Sequence, residues 1–593
     1  MRLKTLFLIG LLILLSCSCC LADKWNVVDA GAVGDGEMDC TAIFQKVLDD
    51  ARAAGNAVVN VPAGKYRING NLVIPSGVTL KGTFSAPACP WSKEMPDLYG
   101  SVLLAYAGRG SNEGKPFIRL GGSSATIQGF AIVYPEWKQT DVPPVPYPPC
   151  IMADGAVNVA ILDCNILNAY EAIHLVRAAR HLVRNVHGYP IWRGLYADEI
   201  YDIGRYENVQ FCPLGTVYRA EDPYCKWINT NGVAFEFART DWHYVINTFC
   251  FGYGVGYKFS QSAAGVCNGN FVGIGADSCR RPIMVENASS FGLLITNGEF
   301  VGRWGSDDSV GIEIGEKCEG NISLNNCTFW GPIEKCVWMR GDKAQFTASS
   351  CNFQSWASKD PDSPAIDVDA GRVIVQGNVF ALEKPHVDIA KSVRSAIVMG
   401  NQASGGLIVK NEAGKRTVNM GNEQPRVVWT NAAKAYYKVD IGSEGDGRYI
   451  KNWEGGEGAG EWGNVGTKRW SKPSAQFILP VLPGKAYKLT IDVHVPEHAI
   501  EPNAGIYLEK TLVTKFTKSG QSVLTGKISA SKNGTIVLDI KCRNWVPRVV
   551  DPGKNDDRQL GIAVRSITLQ EAGSKSKQFF DANTGEWVKL VKK

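Results

Sequence analysis

A phenylalanine closes one short strand-like segment after another in the middle of the chain, at Phe211, Phe249, Phe271, Phe300, Phe329, Phe353 and Phe380. From Phe249 onward the spacings are 22, 29, 29, 24 and 27 residues. That is too regular for loops and too variable for a heptad, so the pattern predicts successive turns of a solenoid. Ile132, Ile166 and Gly188 extend the column upstream. Side chains alternate along a strand, so the column and the residue two before it should point inward, and the residue just before it outward. Asn165, His187, Gln210, Thr248, Asn270, Glu299, Thr328 and Asn352 are thereby expected on one outer face, over rungs ~4.8 Å apart. Such a face suits an extended polymer; a merely solvated polar face is the alternative.

With 593 residues, 45% hydrophobic and 20% charged, the chain has room for more than one core. The net charge of +5 is small for this length, and no dense Lys/Arg run marks a nucleic-acid footprint. Arg2 and Lys4 precede an apolar run from Leu6 to Leu15, too short for a permanent membrane span, so residues 1–22 read as an export signal. Cleavage after Ala22 competes with lipidation of Cys17, since Leu14-Leu15-Ser16-Cys17 is similar to a bacterial lipobox. The expected location is therefore secreted, periplasmic, or tethered to a bacterial surface as a lipoprotein. No transmembrane segment is expected later in the chain. Three of the 17 cysteines lie in the signal, and the 14 in the body show no zinc-type spacing, so no metal is expected. Cys327 and Cys351 take equivalent inward positions on adjacent rungs, where either a disulfide or two stacked thiols would fit.

Near the start, Asp29 to Gly36 forms a Gly-rich loop, followed by Asp39, Thr41 and a helical stretch with apolar Ile43, Val47 and Leu48. A helix there would cap the open end of the solenoid. The loop lacks the glycine spacing of nucleotide-binding loops. Together with Pro62-Ala63-Gly64-Lys65-Tyr66 and Leu80-Lys81-Gly82, these residues resemble the pectate lyase-like superfamily, in its rhamnogalacturonase or epimerase-like group. The resemblance implies an all-β chain, with a right-handed parallel β-helix over residues 23–425, and a carbohydrate role. It leaves the reaction open among hydrolases, lyases and epimerases. The acid, Gly-His-Gly and Arg-Ile-Lys motifs of polygalacturonases, and the calcium-binding Asp cluster of pectate lyases, are missing here apart from one Asp307-Asp308 pair.

In polygalacturonase-like enzymes the acids follow a strand of the type seen at Asn158 to Ile166. The same corner of successive coils here carries Glu171, Arg193, Asp277, Asp307, Asp308 and Glu334. Asp277 and the Asp307-Asp308 pair are expected one coil apart, within the carboxylate spacing that glycosidases use; Asp241 and Glu299 are further acid candidates. For each acid, a turn residue satisfying backbone donors is the alternative. Trp192, Arg193, Trp242, His243, Arg280, Arg281 and His187 supply the flat and charged groups expected of a sugar-binding groove. Long insertions at Pro143 to Pro149 and Pro213 to Asn231 would wall it.

After residue 410 the pattern changes to cleanly alternating strands with Gly, Pro and Asn turns. An antiparallel β-sandwich is expected over residues 430–573, similar to carbohydrate-binding accessory modules, with a loose tail at 574–593. The expected function is a glycoside hydrolase on a plant or algal polysaccharide. A polysaccharide lyase and a non-catalytic glycan-binding solenoid remain open. No cofactor is expected, with calcium entering only if the chain is a lyase.

Overall fold

The structure, a computed structural model, describes residues 25–590 except 56, 85–98, 213–221, 307, 424–426, 428, 444, 458–466 and 530. The expected export signal and Cys17 lie outside the described residues. The chain divides into two compact units. The first covers residues 1–380, 387–401 and 409–420; the second covers 381–386, 402–408 and 421–593.

The first unit is a parallel β-helix. One parallel sheet runs in single rungs from Leu72–Ile74 through Glu171–Val176, Arg193–Asp198 and Val255–Phe259 to Val409–Asn411. The other carries a bent or broken strand on each coil, such as Arg205–Phe211, or His243–Ile246 with Phe249–Phe251. The bend falls on a residue with left-handed backbone in each coil, namely Gly129, Asp163, Asn185, Asn208, Asn247, Gly273, Asn297, Asn326, Ser350 and Gly377 (φ 51° to 78°). Gly, Asn and Asp tolerate this conformation best. The amides also stack along the axis: Asn185 Nδ2 donates to Asp163 Oδ1 at 2.9 Å, Asn208 Nδ2 to Asn185 Oδ1 at 3.0 Å, and Asn326 Nδ2 to Asn297 Oδ1 at 2.8 Å.

Three residues after each bend lies the inward column, Ile132–Ile166–Gly188–Phe211–Cys250–Ala276–Phe300–Phe329–Phe353–Phe380. This corrects the expected register at two coils. Phe249 pairs with Gln210 and Gly275 and faces outward. Phe271 pairs with Val245 and Ile295, inward but on the other side of the bend. Thr248 is consequently buried at the bend rather than outward, with its hydroxyl 2.8 Å from that of Tyr257. Asn270 falls in the other half-strand. The remaining stacked rings behave as expected: Phe329 and Phe353 lie 5.4 Å apart at 14°, and Phe353 and Phe380 4.7 Å apart at 17°. Cys327 and Cys351 are buried free thiols, so the disulfide alternative is not the one realised.

Helix Thr41–Ala53 buries Phe44, Val47, Leu48 and Ala51. Its Gln45 amide exchanges two hydrogen bonds with the backbone of Val73 (2.8 and 3.1 Å), imitating a further strand at the sheet end. In the second unit, one antiparallel set runs Gly520–Ile528, Tyr487–Val495, Ala563–Glu571, Tyr436–Asp440, and a second joins Arg469–Pro480, Thr535–Lys541, Gly505–Leu508 and Thr511–Lys515. Arg469–Pro480 takes part in both, and the inward residues of both sets form one core. Trp470 is buried, and the indoles of Trp453 and Trp545 donate to backbone carbonyls at 3.0 and 2.9 Å. These three tryptophans therefore belong mainly to the core.

Candidate active site

Strands Phe249–Phe251, Gly275–Cys279, Glu299–Gly302 and Thr328–Trp330 lie side by side, and their outward positions floor a groove of about 410 Å³. Asn247, Phe249, Asp277, Glu299 and Trp330 line it. Asp277 is in register with Phe251, and Gly275 with Glu299. The two carboxylates thus sit on adjacent rungs, two residues apart along the strand, with Cα atoms about 8 Å apart from rung spacing and rise per residue. Both side chains leave the same outer face of neighbouring rungs, as paired-carboxylate chemistry on a glycosidic bond requires.

The two acids differ in environment. Burial raises the pKa of Asp277, hydrogen bonds from the Trp304 side chain and the Ser278 backbone oppose this, and the charge of Glu299 adds to the rise. Its Oδ1 is buried without a hydrogen-bond partner, which leaves that oxygen uncompensated when the group is charged. Glu299 is exposed and accepts a hydrogen bond from Trp330 Nε1 at 2.8 Å. One carboxyl has its pKa raised, and a second stands on the neighbouring rung.

The other expected residues are placed differently. Asp307 lies outside the described residues. Asp308 is an ion-pair partner rather than an acid: Arg280 binds its Oδ2 through Nε (2.8 Å) and Nη2 (2.6 Å), and Ser306 and the two neighbouring arginines lower its pKa. Arg281 is bound to Glu313 and to the Asp308 carbonyl. Arg193 is held between Glu171 and Glu236 at 3.0 and 3.2 Å, and stacks on Trp192 and Tyr196. These arginines serve the solenoid's own acids, because a half-buried guanidinium is retained only with its charge and donors matched. Trp192 stacks on Tyr170 at 5.2 Å. His243 is fully buried in the solenoid interior, its pKa driven well below the ordinary value by burial, so it cannot touch a sugar. His187 has the expected outward register but is buried, with both ring nitrogens unpartnered and a pKa lowered by burial to about 4. Glu334 accepts hydrogen bonds from the Lys359 and Asp360 backbone, as a turn residue does. Asp241 accepts from Asn268 Nδ2 at 2.7 Å. Trp242 is exposed.

Sequence reasoning missed the outer face of the single-rung sheet. His174, Tyr196, Glu236, Lys258, Met284, Glu313, Trp338 and Asp367 form one outward column, each flanked by two inward apolar residues. That triplet, recurring at coil spacing as in Ile173-His174-Leu175 and Phe235-Glu236-Phe237, was the available signal. On this face His174 Nδ1 lies 2.8 Å from Glu171 Oε1, its ring is 4.9 Å from Tyr196, and the Tyr196 hydroxyl donates to Asp198 Oδ2 at 3.1 Å. Burial and the neighbouring Asp198 and Glu236 raise the Tyr196 pKa, so the phenol keeps its proton. Among the described residues no cluster of three His, Cys, Asp or Glu side chains could hold a metal ion, and no helix is long and apolar enough to cross a membrane.

The chain is 35% identical over 122 residues to mannuronan C5-epimerase AlgE1 of Azotobacter vinelandii, a match covering 18% of this chain and 8% of that protein. It is 39% identical over 66 residues to alginate lyase 7 of the same organism, covering 10% and 8%. A probable glucan endo-1,3-beta-glucosidase of Arthroderma benhamiae is 29% identical over 120 residues, covering 20% and 13%. The matches thus span a small part of each relative, and the relatives are named for three different reactions. Residues 25–115 match the family described as rhamnogalacturonase A/epimerase, pectate lyase-like, so this stretch is similar to pectate lyase-like proteins, and the coils behind it stack as the parallel rungs of a β-helix.

Proposed function

We propose that the chain is an exported polysaccharide-modifying enzyme that hydrolyses a glycosidic bond in the groove holding Asp277 and Glu299. The observation that carries this reading is the pairing of a carboxyl with raised pKa and an unpartnered buried oxygen with an exposed carboxylate on the next rung. Asp277 protonates the leaving oxygen, while Glu299, oriented by Trp330, activates water or attacks the anomeric carbon. Phe249 and Trp330 offer ring faces to the sugar, and Asn247 and Asn297 offer amides.

A second reading, elimination or epimerisation on a uronic-acid polymer, is favoured by the names of the epimerase and lyase relatives and by the Glu171–His174–Tyr196 arrangement. Glu171 would orient His174 as base, and the protonated Tyr196 would serve as acid. It ranks second because Arg193 and Lys258, the cations beside that arrangement, are already bound to Glu171, Glu236 and Glu286, so none is free to neutralise a substrate carboxylate. Calcium would enter only with this chemistry.

Incubating the protein with a panel including alginate, polygalacturonate and β-1,3-glucan separates the readings. New reducing ends without ultraviolet absorbance, lost in Asp277→Asn and Glu299→Gln, support hydrolysis. Absorbance of unsaturated ends, lost in His174→Ala and retained in Asp277→Asn, overturns it in favour of elimination.

A further inference from the structure

At the corner where the single-rung sheet hands over to the broken one, three aromatic side chains point into solvent. Tyr201 is 57% exposed, Trp242 60% and Phe291 81%. The backbone stacks these corners in order. Ile200 bridges to Thr240, the Asn268 N–H bonds the Thr240 carbonyl at 3.0 Å, and the Ser289 N–H bonds the Cys267 carbonyl at 3.0 Å. Tyr201 and Trp242 therefore occupy adjacent coils and Phe291 the second coil beyond, so the row extends about 14 Å along the axis at one rung per ~4.8 Å.

Two of the rings are held in place. Trp242 has a left-handed backbone (φ 53°), its N–H donates to Asn268 Oδ1 at 3.0 Å, and its indole Nε1 donates to the Tyr244 hydroxyl at 2.9 Å. Tyr201 carries the Arg239 guanidinium 5.1 Å from its ring centre. Arg239 can lie there because residue 265 is glycine, where a Cβ would come within 2.8 Å of its Cδ. Asp241 stands beside Arg239 at 3.7 Å and accepts from Asn268. The hydrogen bond at the edge of Trp242 leaves its ring faces free, Arg239 covers one face of Tyr201, and a polar fringe runs alongside.

We propose that Tyr201, Trp242 and Phe291 form a polysaccharide-binding strip, separate from the catalytic groove, on which successive sugar residues of one chain stack while Arg239, Asp241 and Asn268 bond their hydroxyls. A polysaccharide fits better than a protein partner because the row is narrow, repeats with the coil, and mixes flat faces with hydroxyl-bonding groups. The inference rests on the reading of the substrate as a polysaccharide but not on the assignment of Asp277 and Glu299. Strand His243–Ile246 separates Trp242 from Asn247 at the groove.

The test is affinity electrophoresis of the full chain in gels containing alginate, polygalacturonate or β-1,3-glucan. Phe291→Ala, which removes no core contact, and Trp242→Ala should each weaken retardation on the order of 3- to 10-fold. Turnover of oligosaccharides of the same sugar should stay within twofold of wild type, and Asp277→Asn should bind as wild type. Retardation lost in Phe291→Ala while no polymer is cleaved would uphold the strip and remove the proposed hydrolysis. Wild-type migration of both strip variants, absence of retardation of the wild type by every polymer, or loss of self-association instead of polymer binding would each overturn the inference.

Discussion

Truncating Phe329 and Phe249 to alanine should have opposite consequences, although the two residues look equivalent in the sequence. Phe329 is fully buried, with Phe300 5.3 Å away on one side and Phe353 5.4 Å away on the other. Both neighbouring rungs are fixed by ladder hydrogen bonds, so the hole left by its ring cannot close. Phe329→Ala should cost about 4–5 kcal/mol, near the top of the range for Phe truncation. Phe249 faces outward, is partly exposed and lines the groove. Its removal should cost about 1 kcal/mol, from half of one side chain's burial, while kcat/KM on the cleaved polymer falls roughly tenfold, equivalent to about 1.4 kcal/mol of transition-state contact. Urea denaturation followed by far-ultraviolet circular dichroism supplies the first quantity for each variant, and reducing-end kinetics the second. Equal destabilisation by the two truncations would show that both rings share one inward column, and the register used here would then be wrong.

Three other outcomes follow from the same geometry. Asp277 has a raised folded-state pKa, so its protonated form stabilises the fold at acid pH and that contribution is lost as pH rises through the folded value. Asp277→Asn should therefore be more stable than wild type at pH 7–8 and match it below about pH 4, in denaturation at both pH values; the wild-type rate should fall over the same rise in pH as the acid is lost. A Cβ on residue 204 would lie 2.1 Å from His243 Nε2 and 2.5 Å from His181 Nε2, in a fully buried cluster, so Gly204→Ala should abolish soluble expression or lower the urea midpoint sharply. Cys327 and Cys351 stack as free thiols on adjacent rungs, so dithiothreitol should leave the melting temperature unchanged, and a drop of several degrees would indicate that the two are bridged.

The coil was legible because a closed stack of rungs demands apolar residues at the same inward point of each turn, and Phe300, Phe329, Phe353 and Phe380 meet that demand. Register failed at Phe249 and Phe271 because aromatic identity was used as the marker, whereas an aromatic can sit on either face. The steadier marker is the left-handed bend residue: Asn208, Asn247, Gly273 and Asn297 each stand three places before an inward side chain, whatever its size. Glu299 was expected on the outer face and lies there, whereas Asp277 was expected at a corner beyond Phe271 and lies instead on the strand, one residue past the inward Ala276. The roles of Arg193, Arg280 and Asp308 were not legible, because ion pairing depends on which side chains of adjacent coils meet, and coil lengths vary.

The groove lies where the inward phenylalanine column lapses. Between Phe211 and Phe300 the inward positions hold Cys250 and Ala276, and the space they leave is filled from the opposite sheet by Tyr257, stacked on Phe235 at 4.8 Å and 11°. Gly256 permits this, since a Cβ there would meet the Ala276 Cβ at 2.8 Å. The Tyr257 hydroxyl bonds the carbonyl of Thr248 at 2.9 Å and lies 3.3 Å from that of Gly275, both residues lining the groove. A core ring thus ties down the two adjacent coils that carry Phe249 and Asp277, and it makes Tyr257 a positioning residue. Tyr257→Phe keeps the ring and removes the tie. It should cost about 1 kcal/mol in urea denaturation and lower kcat roughly 3- to 10-fold with KM little changed, because catalytic geometry suffers more than binding. Unaltered kcat in a Tyr257→Phe protein of reduced stability would mean that the rungs alone hold the floor rigid.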